Sequence, residues 1–217
     1  MTVSKYRKGV DAIIELKGIP IKQVENFKYL GTWISNDGKC DKEIKTRIAI
    51  AKETFYKLIN IFHNHSIRLC TKLNLLNTYI HSILLYASEC WTLSAEMTKR
   101  LEAAEMWFYR RILRISYTRH ITNEEVLNRV AVTRTLINTI RSRQICFFGH
   151  VIRNKEIEKL CISGSIEGKR CRGRQRLTYT KSLSDWMGTD ETTMIRTARD
   201  RDMWYTMTAN VRNGHGT

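Results

Sequence analysis

Arginine and tryptophan residues recur at helical spacing in the middle of the chain. On a helix that starts near Ser94, the apolar residues share one side, and the opposite side carries Arg100, Trp107, Arg110, Arg111 and Arg114. A guanidinium group can bind phosphate and an indole ring can stack on a base. This face therefore predicts contacts to a nucleic-acid backbone. A solvated basic face, with Trp107 packed against a neighbouring helix, fits the same pattern.

A second basic segment lies near the C-terminus. Five cations occur within eight residues, interrupted by Gly173: Lys169, Arg170, Arg172, Arg174 and Arg176. Glycine allows such a segment to follow a groove or folded RNA, with the ordering entropy lost on binding. The same run is similar to a nuclear-import signal. A solvated linker is the alternative.

Two more places could contact phosphate. Lys28 and Tyr29 lie in the aromatic segment 27–34, where the lysine and the backbone amides suit phosphate and the rings of Tyr29 and Trp33 suit a sugar or a base. Alternatively, these rings alternate toward a core, and Phe27 and Leu30 are expected to be buried in either case. Arg134 and Arg141 flank the apolar stripe of a later helix and could extend the basic surface.

Metal ligands are present only in unsuitable spacings. His63, His65 and Cys70 are close in sequence, and Cys146 and His150 are one helical turn apart. Zinc sites generally need four ligands, including a close cysteine pair, and the sequence has no CxxC. We predict no metal and no cofactor for this chain.

Composition favours a polyanionic partner. The 217 residues carry a formal charge of +16 and have a pI near 9.8, while 42% are hydrophobic, so a packed core is expected. No apolar stretch approaches the ~18 residues of a spanning helix. We expect RNA, DNA or an RNA–DNA hybrid as partner, no membrane, and an intracellular, nuclear location. The six scattered cysteines are expected to be unpaired.

The elements that position these residues are mainly α-helical. Residues 1–38 read as a small β element, 39–160 as a helical thumb-like domain, 161–177 as a basic linker and 178–217 as a helical tail. Short strands are expected at 12–16, 21–24 and within 27–34. Helices are expected from Asp41, at about 66–86, from Ser94, from the capping box at Thr122 to Val130, from Thr133, at 178–186 and at 191–211.

A series of short segments matches one family in order. These segments are Phe27–Gly31 with Ile34–Ser35 and Asp37–Gly38, Glu43–Ile48, Leu85–Tyr86, Glu89–Leu93, Glu105–Leu113, Asn123–Leu127, Phe147–Val151, Gly173–Arg176 and Gly214–Thr217. Together they resemble the C-terminal region of LINE-type, non-LTR retrotransposon reverse transcriptases that also carry an apurinic-type endonuclease. The resemblance extends from about residue 20 to the last residue.

The resemblance implies roles for the segments. Phe27–Gly31 would be a primer-grip-like hairpin at the end of the palm, and the arginine face from Ser94 would contact the minor groove of the template–primer hybrid from the thumb. The Mg²⁺-binding aspartates of the family lie upstream in a motif with two adjacent aspartates, and no Asp-Asp pair occurs here. We therefore expect no catalysis by this chain alone, and an upstream palm and fingers polypeptide as a partner. A self-standing nucleic-acid-binding protein and a degenerate remnant remain the alternatives.

Overall fold

The computed structural model describes residues 14–131, 136–154, 160–162 and 178–212. Two small antiparallel hairpins precede a succession of helices, so the prediction of a mainly α fold with an N-terminal β element is confirmed. The chain divides into two compact units, the first ending at Ala87 and the second beginning at Ser88. The linker predicted at 161–177 falls almost entirely outside the described residues, and the four-segment division stays a prediction.

Two X-Gly turns build the hairpins. Strands β1 (Glu15–Leu16) and β2 (Ile19–Pro20) flank Lys17-Gly18, and β3 (Asn26–Tyr29) and β4 (Thr32–Ser35) flank Leu30-Gly31. All four turn residues have positive φ, as type I′ turns require. The strand expected at 21–24 was wrong: beyond the Ile21 N–H bond to the Ile14 carbonyl, 2.8 Å, that segment has no ladder partner in the described residues.

Helices follow the hairpins in the first unit. They are α1 (Asp41–Lys57), α2 (Ile59–His63), α3 (Leu69–Leu75) and α4 (His81–Leu84), with a π-helical turn at Leu76–Ile80 between the last two. The helix predicted from Asp41 ends at Leu58, whose φ and ψ of −100° and 11° leave the helical region. Its apolar stripe continues across this break, because Phe55 and Phe62 stack with ring centroids 4.3 Å apart. Ile44, Leu76 and Leu84 are buried in the same unit.

Capping residues fix the helices of the second unit. Helix α5 (Ala95–Ile112) begins where the Ser94 hydroxyl accepts the Met97 N–H, and α6 (Asn123–Val130) begins where the Thr122 hydroxyl accepts the Glu125 N–H. Both starts match the predictions. Helix α7 (Leu136–Arg153) follows, and the start predicted at Thr133 lies outside the described residues.

The last three helices close over the end of α7. They are α8 (Tyr179–Met187), α9 (Glu191–Arg199) and α10 (Arg201–Arg212). Their shared core contains Phe148, Leu183, Met194, Ala198 and Trp204. A buried amide also joins α7 to the start of the unit, because Gln144 Nε2 donates to the carbonyls of Ser88 and Trp91. The second unit therefore presents α5 and α7 on a packed framework. The structure joins none of Cys40, Cys70, Cys90, Cys146 and Cys161 in a disulfide.

Candidate nucleic-acid interface

Two arginine side chains of α5 contact other side chains of the same helix. Arg100 Nε lies 3.1 Å from Glu96 Oε1, one helical turn earlier, and both side chains are more than half exposed. The Arg111 guanidinium lies over the Trp107 ring, 5.3 Å from its centroid. Trp107 is half-buried and meets Phe108 edge-on with centroids 5.2 Å apart. The indole ring therefore packs in part against Phe108, and Arg111 also contacts it.

Arg110 has partners within the chain. Its Nη2 donates to the Ile121 carbonyl at 2.7 Å and to Asn123 Oδ1 at 2.9 Å. Asn123 is the first residue of α6, so one side chain links the end of α5 to the start of the next helix. Charge-assisted hydrogen bonds of this kind hold a side chain in one geometry. The arrangement assigns Arg110 a positioning task that the helical pattern did not predict.

Helix α5 ends before Arg114. The Ile115 N–H bonds to the Arg110 carbonyl and the Arg114 N–H to the Arg111 carbonyl, which is the Schellman pattern. Arg114 takes the left-handed position of that motif with φ 55°. The predicted helical face therefore does not extend to Arg114, because the chain turns at Leu113. Arg114 is exposed and projects from the loop instead.

Lys28 and Tyr29 lie on opposite faces of the β3–β4 hairpin. Lys28 pairs across the ladder with Trp33, whereas Tyr29 pairs with Thr32, so the two side chains alternate in direction. On the Lys28 face, Lys42 Nζ from α1 lies 4.1 Å from the Trp33 ring centroid. On the Tyr29 face, Phe27 is 48% exposed, and at the tip Leu30 is 75% exposed. The expectation that Phe27 and Leu30 are buried was wrong, because only the Trp33 side of the hairpin faces α1.

A buried ion pair anchors the tip of this hairpin. Glu43 accepts the Trp33 backbone N–H at 2.7 Å and Arg47 Nε at 2.5 Å. Arg47 Nη2 also donates to the Gly31 carbonyl at 2.6 Å, and its guanidinium lies 4.2 Å from the centroid of the Tyr86 ring. The Tyr86 hydroxyl donates to the Leu30 carbonyl at 2.8 Å. The turn at Leu30-Gly31 is therefore held from two sides by α1 and the end of the first unit.

Arg141 lies between two helices of the second unit. Its Nη1 donates to Gln144 Oε1 at 3.1 Å and to Ser182 Oγ on α8 at 2.9 Å. Desolvation lowers the pKa of its guanidinium, although an arginine keeps its proton at neutral pH. The structure thus places Arg141 on a helix–helix contact. Its contact with nucleic acid stays a prediction.

The remaining predicted contacts fall outside the described residues. These are Arg134, Lys169, Arg170, Arg172, Arg174 and Arg176. Two basic residues that the sequence prediction omitted, Arg119 and His120, are exposed in the loop between α5 and α6. The sequence shows that both residues follow Arg114 closely. The helical pattern could not include them, because it ends near residue 114.

Within 14–131, 136–154, 160–162 and 178–212, no group of three His, Cys, Asp or Glu side chains is placed to hold a metal ion. In the same ranges, no helix is both long and apolar enough to span a bilayer. An open groove between the β3–β4 hairpin and α1 is lined by Lys39, Lys42 and Lys45, but also by Asp37 and Asp41. Its mixed charge favours no anion.

Comparison with known proteins shows a similarity to a protein of transposon origin. The chain is 24% identical over 196 residues, covering 85% of this chain and 70% of the other, to a putative uncharacterized transposon-derived protein of Caenorhabditis elegans. No family model matches the chain. No solved structure matches it.

Proposed function

We propose that this chain is the nucleic-acid-binding C-terminal part of a LINE-type reverse transcriptase, which holds template–primer or element RNA without supplying the catalytic aspartates. The observation that carries the proposal is the hairpin formed by Asn26–Tyr29 and Thr32–Ser35. Its FKYLG segment resembles the primer-grip segment of that family. The hairpin is fixed at its tip by Arg47 and Tyr86 and is followed directly by helices, in the order that the resemblance implies.

The similarity to a transposon-derived protein supports an origin in a transposable element. The formal charge of +16 supports a polyanionic ligand, since an excess of that size attracts nucleic acid over tens of ångströms at low salt. The basic run 169–176 supports the nucleus as the place of action, because such runs act as import signals.

The exposed apolar side of the hairpins supports an upstream polypeptide partner. Between residues 14 and 34, large apolar side chains are open to solvent, among them Leu16 at 64%, Ile19 at 69% and Tyr29 at 56%. Exposed apolar side chains on neighbouring segments of the chain are typical of a surface that another protein covers. A palm that precedes the chain in the parent polymerase would cover these side chains.

The test combines genomic and enzymatic measurements. The DNA upstream of the Met1 codon is sequenced, and any open reading frame with adjacent aspartates is joined in frame to this chain. The joined protein is expected to extend a DNA primer on an RNA template with Mg²⁺, whereas this chain alone extends none. Replacement of the two aspartates by asparagine is the matched control and should abolish extension. Extension by this chain alone, surviving repurification, would contradict the proposal.

A further inference from the structure

Tyr86, in the first unit, has an aromatic ring that is both exposed and held in place. The residue is 46% exposed. Its hydroxyl donates to the Leu30 carbonyl at 2.8 Å, and the Arg47 guanidinium lies 4.2 Å from the ring centroid. Tyr79 of the same unit is 60% exposed, but in the described part of the chain its side chain has neither contact. Exposure and a fixed orientation occur together at Tyr86 and not at Tyr79.

The chain itself covers one face of the Tyr86 ring. Arg47, which lies over that face, is largely buried, bonds to Glu43 through Nε and donates to the Gly31 carbonyl through Nη2 at 2.6 Å. The turn backbone approaches an edge of the ring, because a Cβ atom at Gly31 would be 3.9 Å from Tyr86 Cε1. The exposed area of Tyr86 therefore belongs to the face opposite Arg47 and to the remaining edge.

The guanidinium determines what the open face can bind. A cation over one face of an aromatic ring is attracted by the π electrons and polarises them, so that the opposite face becomes less negative. Such a face repels another π system less, and offset stacking of a second flat ring is favoured. Glu43 compensates the charge of Arg47, so this site offers no net charge to a phosphate. The open face is therefore suited to a flat ring and not to an anion.

The charge of the whole chain favours a nucleobase as that ring. A formal charge of +16 attracts polyanions, and proteins that hold single strands combine positive charge with aromatic side chains on which bases stack. A base inside a duplex is covered on both faces by its neighbours, so the ring can be reached only by an unpaired base. Because Tyr86 is already immobilised, its side chain loses little conformational entropy when a base stacks on it.

We propose that the open face of Tyr86 is a stacking site for an unpaired base of a single nucleic-acid strand, and that Arg47 is the positioning residue that holds the ring. The inference rests on the proposed function and adds to it a base contact outside the residues that the sequence predicts. Every base has a π face, so stacking does not depend on base identity. The site holds a strand without reading its sequence.

The variants Tyr86→Phe and Tyr86→Leu isolate the contribution of the ring. Both lose the hydroxyl bond to Leu30, so a difference between them reports on the aromatic ring. Affinity of the full chain is measured for single-stranded RNA and DNA of the same sequence across a salt series. Tyr86→Leu should bind both strands roughly 5- to 150-fold more weakly than Tyr86→Phe, with the same log–log salt slope, because stacking neutralises no phosphate. The control Tyr79→Leu should leave affinity unchanged, and thermal unfolding of each variant checks that it is folded.

Photo-crosslinking locates the contact in the unsubstituted chain, so it holds even if Tyr86→Leu does not fold. Iodouridine in a single strand couples on irradiation to an aromatic side chain that stacks on it. Mass spectrometry of the digested protein should find the cross-link on Tyr86 and not on Tyr79.

Arg47→Lys tests the positioning role. Lysine keeps the charge but cannot reproduce the directed bonds of the guanidinium to Glu43 and Gly31. The yield of the Tyr86 cross-link should fall several-fold while the salt slope stays the same. A parental yield in Arg47→Lys would overturn the positioning role.

The stacking site and the proposed function fail in different ways. Equal affinities of Tyr86→Phe and Tyr86→Leu, or cross-links that avoid Tyr86, would overturn the stacking site while leaving nucleic-acid binding intact. A shallower salt slope in Tyr86→Leu would also overturn it, because the lost contact would then be one of charge. If the parent chain binds neither strand, the stacking site and the proposed function are overturned together.

Discussion

The indole ring of Trp204 lies directly against the backbone of Gly149, so that a Cβ atom at residue 149 would be 2.2 Å from Trp204 Nε1. Gly149 is inside α7, where glycine costs roughly 1 kcal/mol relative to alanine. Because Gly149 has no side chain, the Trp204 ring of α10 can pack into the core beside Phe148. The centroids of the two rings are 5.8 Å apart. The close approach explains why a poor helix former lies within an otherwise regular helix.

Gly149→Ala should therefore destabilise the second unit despite the higher helix propensity of alanine. We expect a loss of about 3 kcal/mol in the free energy of unfolding, because a rigid buried ring must move. Trp204→Leu should relieve the clash, so the double variant should lose at least about 1 kcal/mol less than the sum of the single changes. Urea titration of the four proteins measures this cycle, and simple additivity would contradict the close contact.

The buried pair Glu43–Arg47 should dominate the anchoring of the hairpin. Arg47→Met leaves the Glu43 carboxylate buried without its charge partner, so we expect a loss of about 3 kcal/mol and faster hydrogen exchange at the Trp33 amide. Lys57→Met is the control, since Lys57 pairs with Glu53 at the same spacing on the same helix but both side chains are about two-thirds exposed. That change should cost less than about 1 kcal/mol. Equal effects would show that burial of the first pair has no energetic importance.

His81 should make the first unit sensitive to mild acid. Burial lowers the pKa of its imidazole from 6.5 to about 4 because the charged form is desolvated. As the pH falls, His81 of the unfolded chain is therefore protonated before His81 of the folded chain. The free energy of unfolding is at its full value above pH 6.5 and declines between about pH 6.5 and 4, by on the order of 3 kcal/mol. His81→Leu should remove this contribution, which is read as the difference between the two proteins in urea titrations at each pH. A constant difference across the window would contradict the assignment.

Arg114 should show stability and binding changing in opposite directions. Arg114→Gly removes a side chain from a left-handed position and should stabilise the protein by about 0.5–1 kcal/mol. The same change removes a phosphate contact that the sequence predicts and should weaken hybrid binding several-fold.

Ala131→Gly is the matched control for that prediction. Ala131 ends α6 with φ 54°, so glycine should give a similar rise in melting temperature with no change in affinity. If both variants bind the hybrid more weakly, or neither does, the predicted contact between Arg114 and the nucleic acid is contradicted.

Local signals made much of the fold predictable. Ser94 and Thr122 cap their helices as expected, because an N-cap depends only on a hydroxyl and the next three residues. The end of α5 was harder to predict, because the residue with positive φ after the helix is Arg114, whereas this position is usually a glycine. The Arg141 bond to Ser182 joins residues 41 positions apart, and no periodicity encodes such a contact.

The candidate site was predictable in part. The helical pattern correctly placed Trp107 and Arg111 together on α5, at the spacing that allows their stacking. It could not show that Arg110 turns to the Ile121 carbonyl, because that bond depends on the path of the following loop. Strand alternation predicts which side chains share a face of the hairpin. It does not predict the exposure of Phe27, because that depends on which face packs against α1 in the tertiary structure.

The central claim is that this chain binds nucleic acid through backbone phosphates, and a salt titration tests it most directly. The dissociation constant for an RNA–DNA hybrid is measured by fluorescence anisotropy at a series of salt concentrations. With four arginine–phosphate contacts engaged, we expect the log of the association constant to fall with the log of salt at a slope of roughly −3, and two hybrids of unrelated sequence to bind within about threefold of each other. A slope near zero, or no measurable binding at low salt, would contradict the claim.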